Sequence, residues 1–460
     1  MRRHICEACG SFWVSDALWF KLRRLGGILL QVLQLLYAVV SLGIAANWRS
    51  PLCAGIRWEI FWAIAALSLI IIIAQLARFS SPNLKARILK ISILVLTAAG
   101  LSILLAFTAQ LQSEKRAVLS AEASQVERLG EHFIVGYRKV EEVRALVEKR
   151  AIAGIFITRR NIEGKTKAEI QQEIQTLQNI RKQQNLSPLW IATDQEGGIV
   201  SRLSPPLSKL PQLSAAIAEA KTPAQQEKAA FDYATQQGKE LAELGINLNF
   251  APVVDLNHKI INPRDRFSLI YRRAISRDRA VVSRAAKSYC EGLLQQNVYC
   301  TLKHFPGLGR VTEDTHLNSA VLETAIAELE AEDWVPFREV LKNSPALTML
   351  GHPILAQLDP NYPVSFSSKV ISGVLRDRWQ HDGILITDDF SMYAVYHSRY
   401  GFKNATIYAL NAGVDLILIA YDKDLYYPAM KALLEAQKQG KLSEEKLRQS
   451  GARLEGKTRL

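Results

Sequence analysis

Three long apolar runs dominate the first quarter of the chain. Before residue 114 the sequence contains three stretches of at least 18 residues without a charged side chain. Each is long enough to cross a bilayer as an α-helix, which needs roughly 20 apolar residues. A cleaved signal peptide would have a shorter apolar core and would not be followed by two more such runs. The pattern therefore predicts a membrane segment over residues 1–112, with helices at about 25–47, 59–77 and 91–112.

The basic residues that flank these runs predict an orientation. Nine Lys or Arg side chains precede the first run or separate the second from the third, whereas two lie between the first and the second. Short loops rich in Lys and Arg stay on the cytoplasmic side. The contrast predicts a cytoplasmic N-terminus and, after three crossings, an extracytoplasmic position for everything after residue 113. The lipid bilayer is the first expected partner of the chain.

The pattern changes at about residue 130, where short apolar runs alternate with amphipathic helical stretches such as 166–184 and 223–244. This alternation predicts parallel strands joined by helical crossovers. Eight runs over 130–460 fit a (β/α)8 TIM-type barrel, preceded by a linker helix over 113–129. A doubly wound open sheet is the alternative, but no GxGxxG sequence follows the first strand. The eight runs are 132–137, 153–158, 189–193, 248–256, 298–304, 346–352, 383–389 and 415–420.

Polar side chains recur where the predicted strands end. In a barrel of this kind the carboxyl ends of the strands form the mouth of the active site. Acids, bases and histidines are therefore expected to meet at one rim. They are Asp194 and Glu196 after the third run, Arg273 after the fourth, Lys303 and His304 after the fifth, His352 after the sixth, and Asp388 and Asp389 after the seventh.

This set of side chains suits glycoside hydrolysis, which needs one carboxylate at the anomeric carbon and one proton donor at the leaving oxygen. Asp388 ends a strongly apolar strand and is the candidate nucleophile, whereas Asp389 fits a helix N-cap better. Asp314 could hold His316 in one tautomer, although an Asp-x-His in a loop is by itself typical of a solvated turn. A lysine next to His304 would repel a metal ion, so neither metal nor cofactor is expected.

Net charge and cysteines exclude two other classes of protein. Of the net charge of +13, residues 1–112 carry 8, and no basic run interleaved with aromatic residues follows, so no nucleic acid is expected as a partner. Cys6 and Cys9 lack the second pair of ligands that structural zinc requires. The isolated Cys53, Cys290 and Cys300 are expected to be small buried side chains.

Five tracts in this order resemble glycoside hydrolase family 3, in particular its single-barrel β-N-acetylglucosaminidase branch. The resemblance covers residues ~125–455. The tracts are DQEGGIVSRL, FAPVVDLN…NP…RRAISRD, KHFPGLG…EDTH, VSFSSKVISGVLRD…GILITDDFSM and NAGVDLILIA.

The resemblance implies that Asp388 is the nucleophile and His316 the general acid/base, with Asp314 as its partner. The residues implied to line the sugar subsite are Asp194, Arg202, Arg273, Lys303 and His304. The implied activity is a retaining exo-glycosidase without metal that releases terminal, non-reducing β-N-acetylglucosamine from peptidoglycan-type or other glycans. The location at the bacterial inner membrane is predicted by the three apolar runs and not by the resemblance.

The chain departs from the family pattern at two positions. Thr315 replaces the usual serine between Asp314 and His316, a mild change that keeps the hydroxyl. Leu308 stands where a second histidine is common, and this puts details of the loop and of leaving-group preference in question. A β-glucosidase, a β-xylosidase or a phosphorylase of the same family is an alternative. A catalytically silent, membrane-tethered sugar-binding protein is another, although every expected catalytic position is filled.

Overall fold

The computed structural model describes residues 16–77, 83–263, 265–342 and 344–457. The chain divides into two compact units, Met1–Gln112 and Ser113–Leu460. Cys6 and Cys9, considered above for zinc, lie outside the described residues.

The first unit is built from apolar helices. The described part contains α1 (Asp16–Ala46), a 3-10 turn (Pro51–Cys53), α2 (Arg57–Ala77) and most of α3 (Leu84–Leu119). Three helical stretches, Leu18–Ala46, Arg57–Ala77 and Leu84–Leu119, are long and apolar enough to cross a membrane. They extend beyond the uncharged runs because Lys and Arg are good helix formers and need not end a helix.

Residues 113–129, predicted as a linker helix, comprise the end of α3, a short turn and most of α4 (Ala123–Gly130). Val118 and Val126 of this stretch are fully buried in the apolar core of the second unit.

Eight parallel strands form the centre of the second unit, in the order β7-β6-β5-β4-β3-β2-β1-β8. A parallel bridge between Ile386 and Leu416 joins the two ends of this sheet. The predicted barrel is therefore confirmed. The strands are β1 (Phe133–Gly136), β2 (Gly154–Phe156), β3 (Trp190–Thr193), β4 (Leu248–Asn249), β5 (Tyr299–Phe305), β6 (Leu347–Leu350), β7 (Leu385–Thr387) and β8 (Ile417–Ile419).

The fourth strand is much shorter than its predicted run of 248–256. Regular pairing stops after Asn249 and resumes only as an isolated bridge between Val253 and Lys303. Pro252 interrupts the run because it has no backbone N–H to donate to the ladder.

The described part of the second unit contains helices between the strands and after the last one. They are α5 (Val140–Glu148), α6 (Arg159–Ile162), α7 (Lys167–Gln183), α8 (Leu213–Ala216), α9 (Pro223–Leu244), α10 (Ile270–Arg273), α11 (Arg279–Leu294), α12 (Ile326–Ala331), α13 (Val335–Leu341), a π-helix (Lys369–Arg378), α14 (Tyr393–Tyr396), α15 (Gly401–Ala412), α16 (Tyr426–Lys438) and α17 (Glu444–Lys457).

Shorter elements complete the fold. The 3-10 turns are Val364–Phe366 and Lys423–Leu425, and two-residue or three-residue strands pair as Gln195–Gly197 with Val200–Ser201 and Val321–Leu322 with Ile354–Leu355.

Helix α9 shows how local sequence sets an element. Thr222 caps its N-terminus by accepting a hydrogen bond from the amide of Gln225, and Pro223 occupies the first turn. Gly245 ends the helix in the left-handed conformation, at a φ of 93°. These signals explain why the predicted helix at 223–244 has the bounds seen in the structure.

Cys290 and Cys300 form a disulfide, with Cα atoms 5.3 Å apart. The expectation that they are separate buried thiols was wrong. Cys290 lies on α11 and Cys300 on β5, and α11 packs directly against the strand that follows it in the βα unit. The disulfide therefore fastens a surface helix to a barrel strand. Cys53 is a free thiol.

Candidate active site

The end of β5 contributes a buried cation. Lys303 is 2% exposed, and its Nζ lies 2.7 Å from Asp194 Oδ1 and 2.6 Å from Glu196 Oε1. Arg273 approaches the same glutamate, placing Nε 2.9 Å from Oε2 and Nη2 2.6 Å from Oε1. A doubly hydrogen-bonded Arg–carboxylate pair fixes direction as well as distance. The result is a rigid charged network at the ends of β3 and β5.

Glu196 is the centre of this network, although it was not among the residues expected to bind sugar. Burial by itself raises the pKa of Glu196, but Arg273 and Lys303 outweigh burial and lower the pKa to about 2. Glu196 and Asp194 together therefore balance the two positive charges of Arg273 and Lys303. The sequence signal that could have identified Glu196 as a site residue is its position two residues after Asp194.

A second buried carboxylate, Asp255, orients His304. Asp255 Oδ2 lies 2.8 Å from His304 Nδ1, and Oδ1 accepts the backbone amides of His304 at 3.1 Å and Leu308 at 2.7 Å. A carboxylate on Nδ1 selects the tautomer in which Nε2 can accept a hydrogen bond. Arg273 Nη2 lies 3.4 Å from that Nε2. Sequence reasoning missed Asp255, which is the second-last residue of the irregular fourth run.

Asp388 lies at the end of β7, where its amide donates to the carbonyl of Leu350 at 2.9 Å. Burial raises the pKa of Asp388, but the imidazoles of His304, His352 and His316 outweigh it, so the pKa lies below its usual value. Asp388 is therefore an ionised, half-buried carboxylate at neutral pH.

His352 lies near Asp388 and contacts the backbone of the next residue, Asp389. It is fully buried between Ser365 Oγ, 2.8 Å from Nδ1, and the carbonyl of Asp389, 3.2 Å from Nε2. Burial lowers the pKa of His352 to about 4 despite the neighbouring Asp388 charge. The imidazole is thus neutral at physiological pH.

The expectation that Asp389 caps a helix was wrong. Its carboxylate accepts the amides of Ser391, Ala420 and Tyr421, each at 2.9 Å, and the Ser391 hydroxyl at 2.7 Å. Helix α14 begins further on, with Met392 at its N-cap. Asp389 instead ties the loop after β7 to the end of β8, next to Asp388.

Asp314 and His316 form a hydrogen-bonded pair on the loop after β5. Asp314 is 4% exposed, whereas the His316 side chain is 41% exposed, and Nδ1 lies 2.8 Å from Asp314 Oδ1. Burial raises the pKa of Asp314, but its hydrogen bonds with His316 dominate and lower the pKa to about 2. The His316 carbonyl accepts the amide of Tyr393 at 3.3 Å, which links this loop to α14.

Arg202 was expected to line the sugar subsite, and Leu308 stands where a second histidine is common in the family. Arg202 donates its backbone amide to the carbonyl of Asp194 at 3.2 Å, but its exposed side chain makes no hydrogen bond or ion pair with the other described site residues. Leu308 is buried in an apolar cluster with Ile270, Ala274 and Val311. Leucine suits this apolar surrounding, whereas the histidine that is common at this position would lose its contact with water here.

Residues 118–456 match the family model described as Glycosyl hydrolase family 3 N terminal domain. The chain belongs to glycoside hydrolase family 3. This membership and the barrel confirm the resemblance drawn from the five tracts.

Similar proteins in family 3 include a beta-hexosaminidase of Xylella fastidiosa, 34% identical over 59% of this chain and 77% of its own length. Beta-hexosaminidase LpqI of Mycobacterium tuberculosis is 31% identical over 69% of this chain and 78% of its own length. A solved family 3 beta-N-acetylglucosaminidase from Paenibacillus is 31% identical with a TM-score of 0.65, covering 72% of this chain and 61% of that longer one.

Proposed function

We propose that this protein is a membrane-anchored, retaining exo-β-N-acetylglucosaminidase. The observation that carries the proposal is the ionised Asp388 at the end of β7 beside the Asp314–His316 pair, whose imidazole is the most exposed base of the site. Beta-hexosaminidases and a beta-N-acetylglucosaminidase are similar over most of the second unit, which supports N-acetylglucosamine as the sugar.

The first chemical step uses Asp388 and His316 together. An Asp388 oxygen attacks the anomeric carbon, the bond to the leaving oxygen breaks, and the His316 imidazolium transfers its Nε2 proton to that oxygen. Asp314 lies 2.8 Å from Nδ1 and stabilises the imidazolium before transfer. The products of this step are a glycosyl ester on Asp388 and the free aglycone.

The second step reverses the roles. Neutral His316 takes a proton from water, the water oxygen attacks the anomeric carbon, and the ester bond to Asp388 breaks. Two displacements at one carbon return the β-configuration. Asp194, Lys303, Arg273 and His304 supply charged and neutral donors and acceptors for the hydroxyl groups of the sugar.

The substrate class can be tested with the purified full-length chain in detergent. We expect kcat/KM for 4-nitrophenyl β-N-acetylglucosaminide to exceed that for the β-glucoside and β-xyloside by at least about 100-fold, because a subsite that hydrogen-bonds an acetamido group disfavours sugars without one. NMR of the first product should show the β-anomer. Sugar 1-phosphate formed only with added phosphate would indicate a phosphorylase, and no turnover of any glycoside would indicate a silent sugar-binding protein.

We further propose that the second unit lies on the extracytoplasmic face. The distribution of Lys and Arg around the apolar helices supports this side. The Cys290–Cys300 disulfide supports it independently, because such bonds persist in oxidising compartments and are rare in the cytoplasm. The substrate would then be cell-wall glycan outside the membrane.

This topology predicts the behaviour of two reporters. Alkaline phosphatase fused after Leu460 should be active in intact bacteria, whereas green fluorescent protein at the same position should be dark when exported through the general secretory route. When the same cells are lysed directly into denaturant with an alkylating reagent, which exposes both buried side chains, Cys290 and Cys300 should resist alkylation until a reductant is added. Bright green fluorescence together with rapid alkylation of both thiols would place the domain in the cytoplasm.

A further inference from the structure

The segment between β4 and α11 contacts both halves of the active site. Its C-terminal part carries Arg273, which binds Glu196 in the charged network. Its middle part contacts Asp314, the partner of His316. One stretch of chain therefore reaches the sugar-binding side and the proton-transfer side of the site proposed above.

Ser268 is the residue at which these two contacts meet. It is 8% exposed. Its hydroxyl donates to Asp314 Oδ1 at 3.2 Å, and its carbonyl accepts a hydrogen bond from Arg273 Nη1 at 2.7 Å. A continuous chain of hydrogen bonds thus runs from Glu196 through Arg273 and Ser268 to Asp314.

The backbone around Ser268 is held in place by its own contacts. Asp265 accepts the amides of Phe267 at 3.2 Å and Ser268 at 2.9 Å through Oδ1, and that of Leu269 at 2.7 Å through Oδ2. The following helix α10 is anchored by apolar packing of Ile270 against Leu308. The backbone that carries the Ser268 hydroxyl is therefore fixed by hydrogen bonds and by apolar packing.

Two of the four hydrogen bonds that the structure describes for the Asp314 carboxylate come from Phe267 and Ser268, and the other two come from His316. The carboxylate accepts the amide of Phe267 at 3.1 Å through Oδ2 and the Ser268 hydroxyl through Oδ1. Oδ1 is also the atom that holds His316 Nδ1. Without the Ser268 hydroxyl, the described hydrogen bonds of Oδ1 are to His316 alone, so the Oδ1–His316 unit loses its link to the rest of the site. A general acid displaced by even 1 Å loses much of its effect.

We propose that Ser268 is a positioning residue that holds the Asp314–His316 pair in register with Arg273. The inference rests on the proposed glycosidase function. Ser268 would act on proton transfer to the leaving oxygen indirectly, by holding Asp314. Ser268 is itself held by Arg273 of the charged network.

The test compares substrates that differ in their need for a proton. In Ser268→Ala, kcat/KM for N,N′-diacetylchitobiose should fall about tenfold, because its alcohol leaving group must be protonated. With 2,4-dinitrophenyl β-N-acetylglucosaminide, whose leaving group departs unprotonated, kcat/KM should fall less than twofold. Ser268→Thr keeps the hydroxyl and should restore most of the loss.

Ser276→Ala is the matched control, since its hydroxyl caps the amide of Asp278 and does not contact Asp314. It should leave both substrates within twofold of the wild type. Equal losses on both substrates in Ser268→Ala, or no loss on either, would overturn the proposal.

A second readout does not require turnover. Diethyl pyrocarbonate should modify His316 several-fold faster in Ser268→Ala than in the wild type, with the exposed His397 as internal reference in the same digest. If the wild type hydrolyses no N-acetylglucosaminide but His316 still reacts faster in the variant, the proposed function fails and the positioning role stands. An unchanged rate at His316, with chitobiose turnover intact, contradicts the positioning role alone.

Discussion

Replacing Asp388 by alanine is expected to lower kcat for 4-nitrophenyl β-N-acetylglucosaminide by at least about 10⁴-fold. The proposed ester cannot form without this carboxylate, and removal of a covalent nucleophile typically costs an enzyme four to six orders of magnitude. The midpoint of thermal unfolding should change little, because Asp388 is half-buried and its own carboxylate accepts only the adjacent Asp389 amide among the described contacts. A steady-state assay with a fluorescence melting curve measures both.

Azide distinguishes this role from that of His316. In Asp388→Ala, azide can enter on the face of the sugar from which the carboxylate is missing, and it should give the α-glycosyl azide. In His316→Ala, azide should attack the glycosyl ester from the opposite face and give the β-glycosyl azide. The anomeric configuration is read by NMR. An Asp388→Ala variant with unchanged turnover, or one that yields the β-azide, would assign the nucleophile to another carboxylate.

Replacing Glu196 by alanine is expected to destabilise the second unit by about 3–5 kcal/mol, because it leaves the buried cations Lys303 and Arg273 without their shared carboxylate. Lys303 keeps its ion pair with Asp194 in Glu196→Ala, but it loses its second carboxylate. Glu196→Ala/Lys303→Met should therefore be less destabilised than the sum of the two single variants, since the second change removes a buried cation that is only partly compensated. Urea unfolding in detergent gives the free energies.

Glu148→Ala is the control for this series. Glu148 pairs with Arg144 at 2.9 Å, but both side chains are more than half exposed, so the change should be about 0.5 kcal/mol or less. A loss in Glu196→Ala no larger than in Glu148→Ala would contradict the buried network. The wild type adds a pH test: the Glu196 pKa of about 2 lies below its usual 4.5, so its contribution is complete above about pH 4.5 and is lost as the pH falls towards 2.

The barrel was predictable because its signals are local. Eight apolar runs coincide with the eight strands, and the residues that follow the third, fifth and seventh runs lie at the rim as expected. Alternation of strand and helix determines which strand ends share an edge. The residues Asp194, Lys303 and Asp388 could therefore be placed from position alone.

The partners of those residues could not be predicted in the same way. Asp255 and His304 are 49 positions apart, and nothing in either local sequence selects the other. Ser268 lies in an irregular loop without periodicity, and its contact with Asp314 depends on how two loops pack. The Cys290–Cys300 pair was missed because spacing alone does not show which helix packs on which strand.

That disulfide has a consequence for how the protein matures. Cys300 is on β5, the strand that also carries Lys303 and His304. Under the proposed topology, the link between this strand and α11 is closed only after translocation, when the chain meets an oxidant. The strand that carries these two proposed sugar-binding residues would thus be linked to α11 only outside the cytoplasm, where the proposed substrate lies. Recombinant production in a reducing cytoplasm would yield a chain that lacks this fastening.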